Sequence, residues 1–306
     1  MQKLKINIKR GFIMISVNKS HILLLLSLIV LFNAEAFAVG EAGAQFLKIG
    51  VGAKACAMGE AFVGLADDPS AIYWNPAGLT QMNSAEILVM QNFWLLDMSY
   101  QYFAFALPTH YGDFGAAVAF SSSGKIPKYE DFHQVGDYKA YDASGTIAYA
   151  NKFSKGFSFG ISAKIIHQKI EEEDANGMAV DFGLLYEFKF IKGMNIGFAV
   201  QNLGPGIKFI EEDPLPLNIK GGISYKIGSL TFTSDFNMPK DNDLRFNIGG
   251  EFLIKNILAL RGGYNSANSY TAGIGLILRT VSVDYSYVPF KEIDDTHRIS
   301  VSLKFK

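Results

Sequence analysis

The sequence predicts an all-β protein: an antiparallel transmembrane β-barrel of about 14 strands, with an N-terminal, partly helical segment that plugs its lumen. Three observations support this prediction. Apolar and polar residues alternate from about Ala85 to the end of the chain, an export signal precedes them, and the links between strands are short at one end and longer at the other. The formal net charge of -1 excludes the basic surface that nucleic-acid binding requires.

The first 38 residues have the pattern of a cleaved signal peptide. Five basic residues are followed by an apolar run at 22–32 and by the small-x-small site Ala36-Phe37-Ala38. The apolar run, of about eleven residues, is too short to cross a bilayer as a helix. Met1 and Met14 are alternative starts. The only cysteine, Cys56, excludes an internal disulfide.

Residues 84–306 carry the two-residue period of strands that are apolar on one face. In 229–238, for example, Leu230, Phe232, Phe236 and Met238 alternate with Thr231, Thr233, Asp235 and Asn237. The predicted strands are 84–93, 99–108, 112–121, 141–153, 157–170, 177–190, 193–203, 216–227, 230–238, 244–255, 257–264, 270–279, 281–289 and 297–306. Many of them reach the length of about nine to eleven residues that a tilted strand needs to cross a membrane.

The predicted links distinguish a membrane barrel from a soluble sandwich, whose strands also alternate between apolar and polar residues. Links after even-numbered strands are short, such as 154–156 and 191–192, whereas those after odd-numbered strands include 122–140, 171–176 and 204–215. Tight turns at one end and longer loops at the other are typical of outer-membrane barrels. We expect both termini at the short-turn end, and outer-membrane lipid around the wall.

The alternate, lumen-facing set contains charges of both signs in similar number, so we expect ion pairs across a narrow, filled interior rather than an open pore of one sign. The charged residues of this set are Lys164, Asp181, Glu187, Lys220, Lys226, Asp235, Arg245, Glu251, Arg261, Asp284 and Lys304. Fourteen strands enclose more space than their own side chains fill. A further segment should therefore occupy the lumen.

The stretch DDPSAIYWNPAGL, residues 67–79, predicts that segment. Asp67 or Asp68 can cap a very short helix whose first turn suits Pro69. The helix presents Tyr73 and Trp74, either to a pocket or to the barrel wall. Asn75 precedes Pro76 and should end the helix, and Gly78 should allow a left-handed exit. We predict that residues 39–83 fold inside the barrel; this turn is structural, with possible ligand contacts from its aspartates or rings.

Several stretches of the mature chain resemble the PorV/PorQ family, which is similar to the FadL-like outer-membrane transporters. They are GVGAKACAMGEAFVGLADDPSAIYWNPAGLTQM at 50–82, AVDFGLLYEF at 179–188, GFAVQNLGPGIKFIEEDPLPL at 197–217 and THRISVSLKFK at 296–306. The resemblance to PorV implies a non-enzymatic barrel that binds secreted proteins in type IX secretion. The long loop would be its platform, through Ile126, Tyr129, Phe132 and Tyr138, since exposed aromatics often anchor interfaces.

The FadL-like resemblance implies a different function, the passive uptake of hydrophobic small molecules such as long-chain fatty acids. The segment 39–83 would then be a movable hatch, and Phe62, Tyr73 and Trp74 would lie on an apolar route. Neither interpretation calls for a cofactor or metal. GFSFG at 156–160 matches the nucleophile elbow of hydrolases, but it begins an alternating strand instead of a strand-to-helix turn, so an enzyme is not expected.

Overall fold

Fourteen strands close into an antiparallel barrel in the computed structural model of the chain, which describes residues 42–93, 98–209, 211–267, 269–289 and 295–305. In chain order the strands are β1 (Glu86–Phe93), β2 (Ser99–Thr109), β3 (Gly112–Ser122), β4 (Ile126–Glu130), β5 (His133–Tyr138), β6 (Ala140–Ser154), β7 (Phe157–Ile170), β8 (Glu173–Glu187), β9 (Met194–Leu203), β10 (Ile207–Lys208), β11 (Glu212–Asp213), β12 (Asn218–Ile227), β13 (Leu230–Pro239), β14 (Arg245–Ile254), β15 (Leu258–Asn265), β16 (Ser269–Ile277), β17 (Val281–Pro289) and β18 (Asp295–Lys304). Strands β4 and β5 form a separate hairpin, as do β10 and β11, and the other fourteen close the barrel through the pairing of β1 with β18. The predicted fold class is confirmed.

The strands alternate between buried and exposed residues, as a two-residue period requires. In β18, Thr296, Arg298 and Ser300 are buried, whereas Ile299 and Val301 are exposed on the outer face. The outer face as a whole carries large apolar side chains, including Val89, Phe103, Ile147, Ile165, Phe232, Ile248 and Ile274. A belt of this kind is what a wall in contact with lipid requires.

The short-turn end of the barrel holds the two-residue links 110–111, 155–156 and 228–229, together with the start of β1 and the end of β18. The opposite end, called here the long-loop end, holds the links 123–139 and 204–217, which contain the two extra hairpins. The predicted difference in loop length is therefore present, but it is incomplete. The link after β8, residues 188–193, belongs to the short-turn end and is longer than the two residues predicted.

The predicted loop at 171–176 is wrong. Strand β8 begins at Glu173, and β7 and β8 are joined by Glu171 and Glu172 alone. Asn176 and Gly177 lie within the ladder, where they pair with His167 and Ile166. The turn is tight because Glu171 adopts a left-handed φ of 57°. Lys169 and Asp174 are opposite each other in the ladder beside it.

The luminal plug, defined here as residues 42–83, fills the inside of the barrel. It contains a 3-10 helix (Gln45–Lys48), the helices α1 (Ala53–Ala57) and α2 (Ala71–Trp74), and a second 3-10 helix (Pro76–Gln81). Its first residues lie at the long-loop end, where the Gly43 N–H donates to the Pro214 carbonyl oxygen over 2.9 Å. It then descends through the lumen and enters β1 at the short-turn end. Among the described residues, no helix is long and apolar enough to cross a membrane.

The small residues of the plug allow it to touch the barrel backbone. A Cβ atom on Gly59 would lie 2.7 Å from the Tyr264 carbonyl oxygen, and Gly59 also has a left-handed φ of 65°. Ala53, Ala55 and Cys56 are fully buried beside it. Burial raises the pKa of the Cys56 thiol to about 12, so this cysteine is an unreactive packing residue. The predicted signal peptide, residues 1–38, and the plug residues 39–41 lie outside the described residues.

Candidate functional site

The two aspartates of the predicted turn have different roles. Asp68, not Asp67, supports the start of α2: its Oδ1 accepts from the Ser70 N–H over 2.8 Å, and its carbonyl oxygen accepts from the Ala71 N–H. Pro69 occupies the turn between them. Asp67 instead binds Lys54, whose Nζ lies 2.7 Å from Oδ1. Although burial opposes the shift, the charge and hydrogen bonds of Lys54 lower the pKa of Asp67.

The aromatic residues of α2 are packed inside the plug and against the wall. Trp74 is only 1% exposed, and its indole N–H donates to the Val51 carbonyl oxygen over 2.9 Å. Its ring lies edge-on to those of Tyr73, at 4.8 Å between centroids, and Phe62, at 6.4 Å. From the wall, Lys220 places its Nζ 4.6 Å from the Trp74 ring centroid, a cation–π contact. Of the three rings, only Tyr73 is partly exposed.

Asn75 ends α2 in an extended conformation, with φ -162° and ψ 102°, as expected for a residue before proline. Its Oδ1 accepts from the Ala77 N–H and caps the second 3-10 helix, which begins at Pro76. Its Nδ2 donates to the carbonyl oxygens of Val63, at 2.9 Å, and Leu184, at 3.0 Å. One buried amide thus joins two parts of the plug to strand β8.

The left-handed exit predicted at Gly78 is wrong. Gly78 lies inside the second 3-10 helix and has no positive φ. Glycine is needed here for a different reason, because a Cβ atom would lie 2.3 Å from the Ala66 carbonyl oxygen. The close approach of two plug segments therefore excludes a side chain at this position.

The barrel wall has glycines where the NPAG turn touches it. A Cβ atom on Gly160 of β7 would lie 2.3 Å from the Ala77 nitrogen, and one on Gly183 of β8 would lie 2.2 Å from Asn75 Oδ1. These wall residues were not predicted as part of the site. The sequence signal for them was the occurrence of glycine at lumen-facing positions of two consecutive strands.

The lumen has two chemically different sides, which the sequence interpretation missed. The apolar wall, as we call the first side, is the inner face of β1–β3 and β6–β8. Its apolar residues are Leu88, Met90, Tyr100, Tyr102, Ala104, Ala106, Ala117, Ala119, Ala148, Ala150, Ile166, Ala175 and Ala179, all in one buried cluster with the plug residues Ile72, Trp74 and Leu79. The same inner face also carries the buried polar residues Glu86, Asn92, Ser121, Ser144, Ser158, Ser162, Lys164 and Asp181. Few side-chain hydrogen bonds join the plug to this side, among them those from Asn75 to the Leu184 carbonyl oxygen and from Thr80 to Ser158, and most of the contact is packing.

The polar wall, on β12–β18, holds the plug by hydrogen bonds instead. Its buried members include Ser224, Thr231, Thr233, Asp235, Asn247, Arg261, Asn265, Thr271, Asp284, Ser286, Ser300 and Ser302. Several bind the plug backbone: Ser300 accepts from the Ala53 N–H at 2.8 Å, Thr271 donates to the Ala57 carbonyl oxygen at 2.9 Å, and Asp235 accepts from the Val63 N–H at 2.8 Å. The plug is therefore held mainly by hydrogen bonds on one side of the lumen and mainly by packing on the other.

The predicted ion pairs exist, but they run along the wall rather than across the lumen. Arg261 binds Glu251 on the neighbouring strand, with Nε 2.7 Å from Oε2, and also Asp284. Lys164 lies 3.3 Å from Asp181. Adjacent strands bring such side chains together directly, so the plug, and not a pair from the opposite wall, occupies the centre. Of the other predicted lumen charges, Glu187, Lys226 and Lys304 are exposed near the short-turn end.

The predicted partner-binding residues lie on the β4–β5 hairpin at the long-loop end. Ile126 and Tyr138 pair directly at its base and are half-buried. Tyr129 is 61% exposed and Phe132, at the tip, is fully exposed. The hairpin is tied to the β7–β8 turn by an ion pair between Lys128 and Glu171. Of the four predicted residues, Tyr129 and Phe132 are the two whose rings are exposed.

A closed fourteen-stranded barrel with its N-terminal segment folded into the lumen has the fold of the FadL-like outer-membrane barrels. Among solved structures, the chain is similar to the Pseudomonas putida toluene transporter TodX, with a TM-score of 0.63 and 12% identity over 88% of this chain and 98% of that chain. It is also similar to the CymD monoaromatic hydrocarbon channel, with a TM-score of 0.60 and 12% identity over 84% of this chain and 98% of the other. A Pseudomonas aeruginosa FadL homologue gives a TM-score of 0.57, with 10% identity over 84% and 98% of the two chains. Identities this low show the fold alone.

Comparison of the sequence with known proteins gives fewer matches than comparison of the fold. No model of a known protein family matches the chain. A UPF0164 protein of Treponema pallidum (strain Nichols) is 27% identical over 171 residues, which cover 49% of this chain and 40% of that protein. The match thus spans two fifths of the relative's length. The resemblance to PorV/PorQ stays a prediction.

Proposed function

We propose that this chain is a non-enzymatic outer-membrane channel for small hydrophobic molecules, with the luminal plug as a movable hatch. The division of the lumen into two walls carries the proposal. A path between the plug and the apolar wall is bordered by alanine, aliphatic and aromatic side chains, which suit an uncharged, apolar solute. The names of the similar structures, a toluene transporter and a monoaromatic hydrocarbon channel, support the same class of solute.

The two walls would have different tasks when the hatch opens. Separating the plug from the polar wall would leave main-chain groups such as the Ala53 N–H without partners, at a cost of about 1–3 kcal/mol for each buried group. Separating it from the apolar wall breaks few hydrogen bonds, and a hydrophobic solute would replace the lost apolar contact. We therefore infer that the plug stays attached to β12–β18 and moves away from the opposite side.

The second 3-10 helix, Pro76–Gln81, would close this path at the short-turn end. It contacts β6, β7 and β8, and Thr80 donates from Oγ1 to Ser158 Oγ over 2.8 Å. Tyr73 would border the path from the long-loop side, since it is the partly exposed ring of α2. Trp74 and Phe62, which are fully enclosed, would support the plug and not touch the solute.

The test is the uptake of radiolabelled toluene and of radiolabelled oleate by Gram-negative cells that lack their own FadL-type channels. We expect expression of this chain to raise the uptake of at least one of them above vector-only cells, with glucose uptake unchanged. Ala148→Phe, which places a large ring on the apolar wall, should reduce that uptake, whereas Ala272→Phe on the outer face should not. The proposal would be overturned if neither solute entered these cells faster than it enters vector-only cells.

Binding of secreted proteins is a second candidate function, favoured by the exposed tip of the β4–β5 hairpin. An isolated hairpin with a fully exposed Phe132 is suited to contact another protein. The hairpin can be removed without stretching the chain, because its flanking residues Ser123 and Ala140 are joined by a backbone hydrogen bond of 3.1 Å. Replacing 125–138 by a short Gly-Ser link should abolish co-purification of a secreted protein and leave hydrophobic uptake intact. Unchanged co-purification would exclude this second function for the hairpin.

A further inference from the structure

A broad groove crosses the outer, lipid-facing surface of the wall at β2, β3 and β6–β9. Its cavity volume is about 760 Å³, within the range of about 300–1,000 Å³ that is typical of small-molecule sites. Its outward-facing lining is apolar and includes Phe103, Val118, Ile147, Ile165, Met178 and Leu203. The lining of the cavity also includes Ala117, Lys164 and Ala179, which are buried residues of the inner face of the same strands.

The groove exists because small residues stand between large ones on the outer face. Ala163 pairs directly with Ile147 and with Val180, and Gly145 pairs with Val118 and Ile165. At these positions the outer surface of the barrel is recessed, relative to the neighbouring positions, by most of the length of a side chain. A Cβ atom on Gly145 would still lie 3.5 Å from Ile165, so no internal contact of the barrel demands glycine there.

A second cavity of about 370 Å³ continues the groove toward the long-loop end. The two share Leu203 and Gly204, where the β8–β9 ladder is irregular between Val180 and Phe182. Asn202, beside the irregularity, has a left-handed φ of 60°. In contrast to the groove, this cleft is bordered by charged residues of both signs, Glu212 and Lys240.

The groove and the cleft together have the layout of an amphiphile. Lipid tails are as apolar as the wall, so the groove supplies shape and dispersion contacts but little selectivity by itself. Selectivity would come from the cleft, where one carboxylate and one ammonium group complement a head group that carries both charges. We propose that this outer-wall site binds a zwitterionic phospholipid, with an acyl chain over Gly145 and Ala163, its phosphate toward Lys240 and its ammonium group toward Glu212.

This site requires that the barrel lie in a membrane, but not that the plug move or that any solute cross. The test is native mass spectrometry of the full-length protein released from bilayers of equal amounts of phosphatidylethanolamine and phosphatidylglycerol. We expect one retained phosphatidylethanolamine, preferred about two- to fivefold over phosphatidylglycerol, as partly exposed ion pairs allow. Ala163→Phe should abolish retention, whereas Ala272→Phe, on the outer face of β16, should leave it unchanged.

Glu212→Gln distinguishes recognition of the head group from nonspecific hydrophobic binding of the lipid. It should remove the preference for phosphatidylethanolamine while total lipid retention persists, because the acyl chain still fits the groove. Equal retention of the two lipids by the unaltered protein would overturn the proposal, as would normal retention by Ala163→Phe. If Ala163→Phe blocked toluene uptake and left lipid retention intact, the groove would belong to the solute path and the phospholipid assignment would be wrong.

Discussion

Asn75 Nδ2 lies 3.0 Å from the Leu184 carbonyl oxygen, so that a side chain of the luminal plug is hydrogen-bonded to the backbone of the barrel wall. The same amide holds Val63 and caps the second 3-10 helix. A compact Asn-Pro-Ala-Gly turn is therefore the point where the plug is joined to β8. In the proposed function, this contact would have to break for the plug to leave that side of the lumen.

Asn75→Ala should destabilise the folded protein, because it removes the hydrogen bonds of the Asn75 amide with the carbonyl oxygens of Val63 and Leu184 and with the Ala77 N–H. We expect a loss of about 1–3 kcal/mol in the free energy of unfolding, measured by urea titration in detergent. Asn83→Ala, which alters an exposed asparagine of the same segment, is the matched control and should have no effect. Equal stability of Asn75→Ala and the unaltered protein would show that the turn is not held as described.

Gly160→Ala should displace the NPAG turn from the wall, since the added methyl group would overlap the Ala77 nitrogen. Overpacking of this kind costs about 1–3 kcal/mol, and a loosened plug should raise the conductance of single channels in planar bilayers. Gly145→Ala, an identical change on the outer face, should leave conductance unchanged because its nearest neighbour is 3.5 Å away. Identical conductance in the two variants would contradict the close contact at Gly160.

Stability should depend on pH through the Asp67–Lys54 ion pair. Although burial opposes it, Lys54 lowers the pKa of Asp67 below its ordinary value of 3.8. The pair therefore stabilises the fold above about pH 4 and loses this contribution as the pH falls through the lowered pKa. Asp67→Asn should reduce the melting temperature at pH 7, and its difference from the unaltered protein should shrink below about pH 4.

The control for this pH dependence is Asp243→Asn, at an exposed loop position, for which we expect equal melting temperatures at both pH values. A difference between Asp67→Asn and the unaltered protein that stays constant from pH 7 to pH 3 would contradict the role given to the ion pair.

The strands of the barrel could be predicted from the sequence because successive side chains point alternately to the lipid and to the lumen, which produces the two-residue period. The turns were harder to predict, because each turn depends on the backbone dihedral angles of one or two residues. The left-handed Glu171 closes a two-residue turn where the sequence predicted a longer link at 171–176, and Gly78 serves a close contact rather than a turn. The hairpins β4–β5 and β10–β11 lie outside the barrel and carry no period long enough to detect.

The division of the lumen is visible in the sequence. Inward positions of β2, β3 and β6, such as Ala104, Ala117 and Ala148, are alanines, whereas those of β16–β18, such as Thr271, Ser286 and Ser300, carry hydroxyl groups. The contacts of the plug with Gly160 and Gly183 required the three-dimensional arrangement, because residues about one hundred positions apart in sequence meet there. Pairs of this kind leave no periodic signal.

The central claim is that the second 3-10 helix moves away from β6–β8 when a hydrophobic solute passes. It can be tested with an engineered disulfide between positions 80 and 158, where the side-chain oxygens of Thr80 and Ser158 are 2.8 Å apart. The variant would be Thr80→Cys with Ser158→Cys in a Cys56→Ala background. The account predicts that toluene or oleate uptake is lost when this disulfide is oxidised and returns on reduction. Uptake that is equal in the oxidised and reduced states would contradict it.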